Sequence, residues 1–123
     1  MEFTLPWPPS TNTYWRHPSK GALAGRHLIS EVGRNYRATV QAELHVAAKI
    51  KKPLTGRLVI EIKASPPDKR RRDLDNILKA LLDSITHAGL IEDDSQFDAI
   101  AIARMPAQKP GRVDVTIFQL ENL

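Results

Sequence analysis

The sequence predicts an α/β (α+β) domain in which a small mixed β-sheet packs against two main helices, in the order β-α-β-α-β-β. Two stretches with apolar residues at helical spacing, and several with strand-like alternation, support this fold class. Proline and glycine separate these stretches and mark the turns. The chain of 123 residues is long enough for one hydrophobic core, so we expect a single domain over residues 1–123.

The first predicted element is a short strand, because Phe3, Leu5 and Trp7 alternate with polar or turn residues. The prolines at and after its end stop sheet pairing, since proline has no N–H for a ladder.

Residues 10–25 have the composition of an irregular loop that carries Arg16 and Lys20. Basic residues mixed with aromatic ones on a loop can bind a nucleic-acid backbone and stack on bases. A surface loop with a half-buried Trp15 fits the same residues equally well.

A brief extended stretch is expected at residues 27–29, followed by a helix from the N-cap Ser30 to about Lys51. The apolar stripe of this helix comprises Val32, Tyr36, Val40, Leu44 and Ala47. The cations off the stripe, Arg34, Arg37 and Lys49, are interpreted as a solvated surface.

Three further strands are predicted over residues 57–64, 99–105 and 112–120. The first of them has apolar residues at every second position. Residues 106–111 have the length of a hairpin loop, so we expect the last two strands to form a terminal hairpin.

The clearest amphipathic helix lies between the second and third strands, and Gly89 is a natural C-terminal stop for it. Its apolar stripe comprises Leu74, Ile77, Leu78, Leu81, Leu82 and Ile85. Asp73 and Asp75 stand at its beginning, directly after the cations at 69–72. One aspartate there can cap the helix and contribute ~1 kcal/mol. Two aspartates with four adjacent cations exceed what a cap requires.

The functional interpretation of this segment is a metal site. Alternate side chains of an extended D-x-D segment point the same way, so Asp73 and Asp75 could share a Mg²⁺ ion, which prefers hard oxygen ligands. Lys79 lies one helical turn beyond Asp75 and could stabilise charge on a phosphate or a leaving oxygen. Asp83 is another turn away, ~12 Å from Asp75 along the axis, and is not expected to be a ligand.

A second acidic cluster follows the helix and contains Glu92, Asp93, Asp94 and Asp98. The helix carries the chain ~18–20 Å away, and six extended residues can return ~20 Å. The cluster can therefore reach the first aspartates if the chain doubles back at Gly89. A site shared across a subunit interface is the other arrangement that the spacing allows.

The basic run at 69–72 favours a phosphodiester-cleaving site. The arginines Arg70, Arg71 and Arg72 offer forked donors that match phosphate oxygens, beside carboxylates that could hold Mg²⁺. The alternative is a set of local salt bridges on a turn, which would stabilise little.

Composition excludes several other classes of protein. The formal net charge of +4 suits a polyanionic partner, and the absence of cysteine excludes disulfides and thiolate metal sites. The chain shows neither a signal-peptide pattern nor an apolar run of membrane-spanning length. We expect a soluble cytoplasmic protein, associated with the nucleoid when bound to DNA.

Four segments of the sequence resemble the RusA-type Holliday junction resolvases, a family of crossover junction endodeoxyribonucleases often encoded by phages and prophages. They are LPWPPSTNTYWRH (5–17), ISEVGRNYR (29–37), PDKRRRDLDNILKALLDSITHAGLIEDD (67–94) and RMPAQKPGR (104–112). The third is very specific, because its basic run, D-x-D-N, lysine, glycine and closing acidic pair are all in register. Lys69 stands where another arginine is expected, which keeps the charge but loses a forked donor.

The resemblance implies a Mg²⁺-dependent homodimer that nicks opposing strands of four-way DNA junctions in recombination and repair. By position, Asp73, Asp75 and Asp94 match the catalytic, metal-binding carboxylates of the family, and Lys79 matches its catalytic lysine. Asp93 is a further acidic candidate. The expected DNA contacts are Arg16, Lys20, Lys69, Arg70, Arg71, Arg72, Lys109 and Arg112.

Two other functions remain open on the residues alone. The chain could be a non-catalytic nucleic-acid-binding protein whose aspartates only cap a helix, or a general Mg²⁺ nuclease without junction selectivity.

Overall fold

The central element is a four-stranded mixed sheet, and the computed structural model describes residues 1–120 of the chain. Its strands are β1 (Glu2–Pro6), β4 (Leu58–Ser65), β5 (Phe97–Arg104) and β6 (Arg112–Gln119). Their spatial order is β1-β6-β4-β5, with β4 parallel to β5 and antiparallel to β6, and with β1 antiparallel to β6. The predicted mixed α/β class is therefore confirmed.

The helices are α1 (Thr11–Tyr14), α2 (Glu31–Ala47) and α3 (Leu78–His87), with short 3₁₀ turns at Leu74–Ile77 and Asp94–Gln96. Two very short strands, β2 (Trp15–Arg16) and β3 (Leu28–Ile29), form a separate antiparallel ribbon. Within residues 1–120, no helix combines the length and the apolar character needed to cross a bilayer.

The prediction of an irregular loop over residues 10–25 is wrong at its start, where α1 and β2 form. Ser10 caps α1, because its hydroxyl accepts a hydrogen bond from the Thr13 N–H (3.3 Å). The Tyr14 ring is fully buried and fixes this turn against α2 and α3.

α2 begins as predicted, with the Ser30 hydroxyl accepting from the Gly33 N–H at 3.0 Å. It ends at Ala47 rather than near Lys51. Tyr36, Val40 and Leu44 are buried as expected, whereas Val32 and Ala47 at the two ends of the predicted stripe are exposed. The buried face begins instead at Gly33, where a Cβ would lie 2.5 Å from the Tyr14 carbonyl oxygen.

α3 buries the predicted stripe, with Leu81 and Ile85 fully inaccessible to solvent. The α-helix begins at Leu78, because the preceding residues Leu74–Ile77 form a 3₁₀ turn. Gly89 adopts φ 86° just beyond the helix, as its assigned role as a stop requires.

The predicted terminal hairpin is wrong, because β4 lies between β5 and β6. β4, α3 and β5 form a β-α-β unit whose parallel strands are neighbours. That unit occupies one side of β4, so β6 pairs with the other side, over the register Leu58↔Gln119 to Ser65↔Arg112. The loop at 105–111 therefore crosses the end of β4 instead of closing a hairpin.

The core lies between the sheet and the helices. Alternate residues of β4 and β6, such as Ile60, Ile62, Val113 and Val115, are buried on the helix side. The other face of the sheet carries Glu61, Lys63 and other polar side chains and is largely exposed.

Candidate active site

Three segments meet beyond the carboxyl end of β4. The Met105 N–H donates to the Ala64 carbonyl (2.8 Å) and the Gln108 N–H to the Pro66 carbonyl (2.7 Å). A Cβ at Gly111 would approach both Pro67 and Trp7 at about 3 Å. The loop at 105–111, the charged segment at 66–73 and the proline-rich segment after β1 are thus packed side by side.

An open cleft of about 520 Å³ separates the proline-rich segment from the charged segment. Its lining comprises Trp7, Pro8, Pro9, Ser10, Arg71, Arg72, Asp73, Asn76 and Ile77. The Thr11 hydroxyl donates to the Asn76 carbonyl (3.1 Å) and ties the two walls together. The sequence did not indicate this role for the prolines, which were interpreted only as strand breakers.

Asp73 and Asp75 lie exposed at the start of the turn that leads into α3. Asp73 has extended backbone angles (φ −87°, ψ 131°), and its side chain makes no capping hydrogen bond. Within the described residues 1–120, neither carboxylate takes part in a hydrogen bond or a salt bridge. The helix-cap interpretation therefore does not account for Asp73, and both carboxylates are free to bind a ligand.

Asp94 lies next to the first turn of α3, because its Oδ2 atom is 3.9 Å from Lys79 Nζ. The chain doubles back at Gly89, so the second acidic cluster reaches the lysine within one subunit. The spacing of the sequence allowed a return as far as Asp73 and Asp75, and the contact in the structure is with Lys79.

The turn that carries Asp94 is held by Asp93 and Gln96. The Asp93 carboxylate accepts from the Ser95 N–H (3.0 Å), and this hydrogen bonding, assisted by nearby Lys79, lowers the pKa of Asp93. Gln96 Oε1 accepts from the N–H groups of Glu92 and Asp93, while its Nε2 donates to two carbonyls in the segment before β4. Asp93 thus serves as a cap, which leaves Asp94 as the carboxylate facing the lysine. The buried Gln96 was missed, because a polar residue in an acidic turn resembles ordinary surface.

The acidic side chains fit a hard divalent cation by chemistry. Carboxylate oxygens suit Mg²⁺, which keeps several waters and often takes only one or two protein ligands. Among residues 1–120, no three histidine or acidic side chains converge as a ready-made metal site. The structure pairs Asp94 with Lys79 but does not assemble Asp73, Asp75 and Asp94 into one cluster.

The basic run is partly neutralised by Asp68, a residue to which the sequence pattern assigns no role. Arg72 Nη1 donates to Asp68 Oδ1 (2.7 Å), and the Arg70 N–H donates to the same carboxylate (2.9 Å). These contacts, that of Arg72 first, lower the pKa of Asp68 to about 2. Lys69 and Arg71 are exposed. The salt-bridge alternative therefore applies to Arg72 and, at a longer 3.7 Å, to Arg70, both of which pair with Asp68.

Two more of the predicted DNA contacts lie on the neighbouring loop and strand. Lys109 is exposed on the loop at 105–111. Arg112, at the start of β6, forms a salt bridge with Asp114 (3.3 Å). A further arginine enters the region from β5, since Arg104 Nη2 donates to the Arg72 carbonyl (2.7 Å).

Arg16 lies on β2 and Lys20 on the loop that connects β2 to β3, and both are exposed. The neighbouring Trp15 is partly buried, and its ring packs against His27 (centroids 4.4 Å apart). His27 in turn packs against His17 at 4.5 Å. Trp15 thus matches the half-buried tryptophan of the structural alternative, whereas the two cations point to solvent.

Arg37 is not a solvating charge, which corrects the sequence-based interpretation. Its Nη2 lies 2.6 Å from Asp83 Oδ2 and its Nε donates to the Tyr14 hydroxyl (2.8 Å). Tyr14 also donates to Asp83, and burial, with the Asp83 hydrogen bond, raises the pKa of Tyr14. This half-buried cluster links α1, α2 and α3, and it explains why Asp83 does not join the other aspartates.

Comparison with known proteins places the chain in a family. The family described as "Endodeoxyribonuclease RusA" matches residues 6–118. The chain is 46% identical over 122 residues to a protein of Enterobacteria phage HK97 named crossover junction endodeoxyribonuclease rusA, covering 99% of this chain and 97% of that relative. Relatives with the same name from Escherichia coli K12 and Enterobacteria phage 82 are each 41% identical over 119 residues, covering 97% of this chain and 94% of theirs. On this near full-length similarity, the chain belongs to the RusA family of endodeoxyribonucleases.

Proposed function

We propose that this chain is a Mg²⁺-dependent endonuclease that acts as a homodimer and resolves four-way DNA junctions by paired, symmetric nicks. The observation that carries the proposal is the contact of Lys79 with Asp94 (3.9 Å), at the start of a helix that directly follows two exposed aspartates without a side-chain partner in residues 1–120. The names of the phage and bacterial relatives, crossover junction endodeoxyribonucleases, support the choice of substrate.

Asp73, Asp75 and Asp94 would hold the Mg²⁺ together with water and phosphate oxygens. When bound, Mg²⁺ lowers the pKa of a coordinated water and stabilises charge on phosphoryl oxygens. Because Asp73 and Asp75 have no internal partner within the described residues, neither carboxylate has to break a contact in order to bind.

Lys79 would donate to the phosphate or to the leaving oxygen. Its side chain is 54% exposed, and within residues 1–120 its ion pair is to Asp94, at a long 3.9 Å. A lysine held this loosely can turn from the carboxylate to a DNA phosphate without a large energetic cost.

The cations around the cleft would hold the DNA backbone. Arg71 lines the cleft beside Asp73, and Lys69 and Lys109 are exposed on adjoining loops. Arg70 remains largely exposed, whereas Arg72 supports the loop through Asp68. Binding to phosphates releases counterions, so affinity should fall steeply with salt.

Two sites related by a two-fold axis would match a junction with approximate two-fold symmetry. A homodimer supplies such a pair, and each site would cut one of two opposing strands. The products would be two nicked duplexes.

The test compares cleavage of a labelled mobile four-way junction and of a linear duplex with the same sequence, with and without Mg²⁺. For Asp73→Asn we expect unchanged junction affinity and a ~10³-fold loss of cleavage, since metal-assisted charge stabilisation is worth several kcal/mol. Glu92→Gln is the matched control, because it removes an exposed carboxylate of the acidic turn that has no role in the proposal.

Three other outcomes would contradict the proposal. Full cleavage by Asp73→Asn rejects the proposed site. Junction binding without nicking at any Mg²⁺ concentration supports a non-catalytic binding protein. Equal cutting of junction and duplex supports a general nuclease.

A further inference from the structure

β5 forms an unprotected edge of the central sheet. It ends the order β1-β6-β4-β5, so within residues 1–120 only one of its two sides is paired. The opposite edge strand, β1, has only five residues and ends at Pro6, two features that discourage pairing with another chain. β5 has eight residues and no proline. A long, apolar edge of this kind is a template for another strand.

The side chains of β5 are exposed on both faces of the sheet. Ile100 lies beside the buried Ile60 on the helix-covered face, yet 45% of it is exposed. On the other face Ala99, Ala101 and Ala103 are all exposed. Neither face of this strand is covered fully by the part of the chain that the structure describes, residues 1–120.

Residues 98–104, with the sequence D-A-I-A-I-A-R, are self-complementary about Ala101. If two copies pair antiparallel through a two-fold axis at Ala101, residues at equal distances from the axis face each other. The facing pairs are Asp98 with Arg104, Ala99 with Ala103, Ile100 with Ile102, and Ala101 with itself. Apolar pairs then fill the centre, and an ion pair closes each end.

The backbone of β5 suits the same register. The Met105 N–H donates to the Ala64 carbonyl, so odd-numbered residues direct their backbone groups toward β4. Alternation along a strand then directs those of Ile100, Ile102 and Arg104 to the free edge. These residues fall in hydrogen-bonded pairs of the two-fold register. Ala101 falls in a closely spaced pair without hydrogen bonds, where a small side chain fits.

We propose that a second copy of this chain pairs with β5 in this register and joins the two sheets into one. The inference rests on the homodimer in the proposed function and identifies its interface. It also links the interface to the candidate site, because Arg104 donates to the carbonyl of Arg72, directly before Asp73. Arg57 contacts Oδ1 of Asp98, so in the dimer the Oδ2 atom of the second copy's Asp98 would contact Arg104 from the other side and help to position that segment.

The first test measures the oligomeric state of the full chain by sedimentation. We expect a dimeric wild type and a monomeric Ile100→Lys variant, since each dimer would bury two lysines against Ile102. Phe118→Lys is the matched control, because Phe118 is equally exposed (46%) but lies on β6, away from β5. A monomeric wild type, or a dimeric Ile100→Lys variant, overturns the proposal.

The second test fixes the register by single cysteines, which the chain otherwise lacks. In the closely spaced pair the two Ala101 Cα atoms would lie ~4.5 Å apart, within the range that a disulfide spans. Ala101→Cys should therefore cross-link to a covalent dimer on mild oxidation. Ala103→Cys should not, because its copies would be ~13 Å apart along the strands.

Absence of the Ala101→Cys cross-link, or equal cross-linking of both variants, contradicts the register. Neither test contains DNA or Mg²⁺, so each is independent of the cleavage assay. If the dimer tests contradict the interface, the cleavage assay still decides the nuclease activity. If the cleavage assay fails, the dimer tests still decide the interface.

Discussion

Lys79 Nζ lies 3.9 Å from Asp94 Oδ2, so the first turn of α3 meets the acidic turn before β5 within a single chain. Both side chains remain substantially exposed, at 54% and 38%. Exposed ion pairs of this length add little to stability. The pair therefore contributes little to the fold, and its proposed role in cleavage can be tested without a large loss of stability.

Lys79→Ala should lower junction cleavage ~10²-fold, because one donor to a developing oxyanion is worth about that factor. The thermal midpoint should hardly change, since the lost pair is exposed. Single-turnover cleavage at saturating protein, together with thermal unfolding, checks both expectations.

Two controls accompany this variant. Lys63→Ala removes an exposed lysine from the open face of the sheet, and it should cleave at the wild-type rate. Lys79→Arg retains the charge and should recover part of the activity. Wild-type cleavage by Lys79→Ala would show that the contact with Asp94 has no catalytic meaning.

Asp83→Asn should destabilise the fold by about 1–3 kcal/mol, because Arg37 and Tyr14 would lose their charged partner in a half-buried cluster. Cleavage per folded molecule should remain unchanged, since Asp83 pairs with Arg37 and does not line the cleft. Urea unfolding and the cleavage assay below the unfolding transition separate the two effects.

Arg57→Gln is the comparison for Asp83→Asn. It breaks the Arg57–Asp98 pair, in which both side chains are about half exposed. Its effect on stability should be clearly smaller. Equal destabilisation by the two variants would mean that burial does not explain the contribution of the Arg37 cluster to the free energy of unfolding.

Local pattern was enough to predict α3 and β4. Their burial repeats every three to four residues and every second residue, and Leu81 and Ile60 are buried accordingly. Nothing local distinguishes a hairpin from a crossing loop at 106–111, because both fit six residues. The partner of β6 depends on the β4–α3–β5 unit, whose parallel pairing comes from residues far apart in the chain.

In the candidate site, too, some features follow from local spacing and others depend on contacts between distant segments. Asp73, Asp75 and Lys79 share one short segment, so their common position at the start of α3 could be predicted from spacing. The roles of Asp68 and Gln96 depend on which backbone groups surround them, which no periodicity encodes. Arg37 was misinterpreted because a charge off the apolar stripe is usually solvated, whereas this one meets Asp83 from another helix.

Gly33→Ala should destabilise the protein by about 1–3 kcal/mol, which is typical of overpacking. The new Cβ would lie 2.5 Å from the Tyr14 carbonyl oxygen and 2.7 Å from Ile29 Cγ1. Helix propensity alone favours alanine by up to ~1 kcal/mol. The sign of the change in unfolding free energy therefore shows whether overpacking or helix propensity dominates. Chemical denaturation gives the answer, with Ala42→Gly at an exposed position of α2 as the propensity control. A stabilised Gly33→Ala protein would show that α2 can move away from Tyr14.

The contribution of Asp68 to stability should disappear in acid. Its pKa falls from 3.8 to about 2 on folding, chiefly through the Arg72 hydrogen bond. A carboxyl whose pKa is lower in the folded state stabilises the fold at pH values above its pKa in the unfolded state. That stabilisation is lost as the pH falls through its pKa in the folded state. The wild type should therefore be more stable than Asp68→Asn at about pH 5, and most of the difference should be lost by about pH 2. Urea midpoints of both proteins at several pH values, repeated with Arg72→Gln in each, measure it. If the pH dependence survives in the Arg72→Gln background, Arg72 is not its main cause.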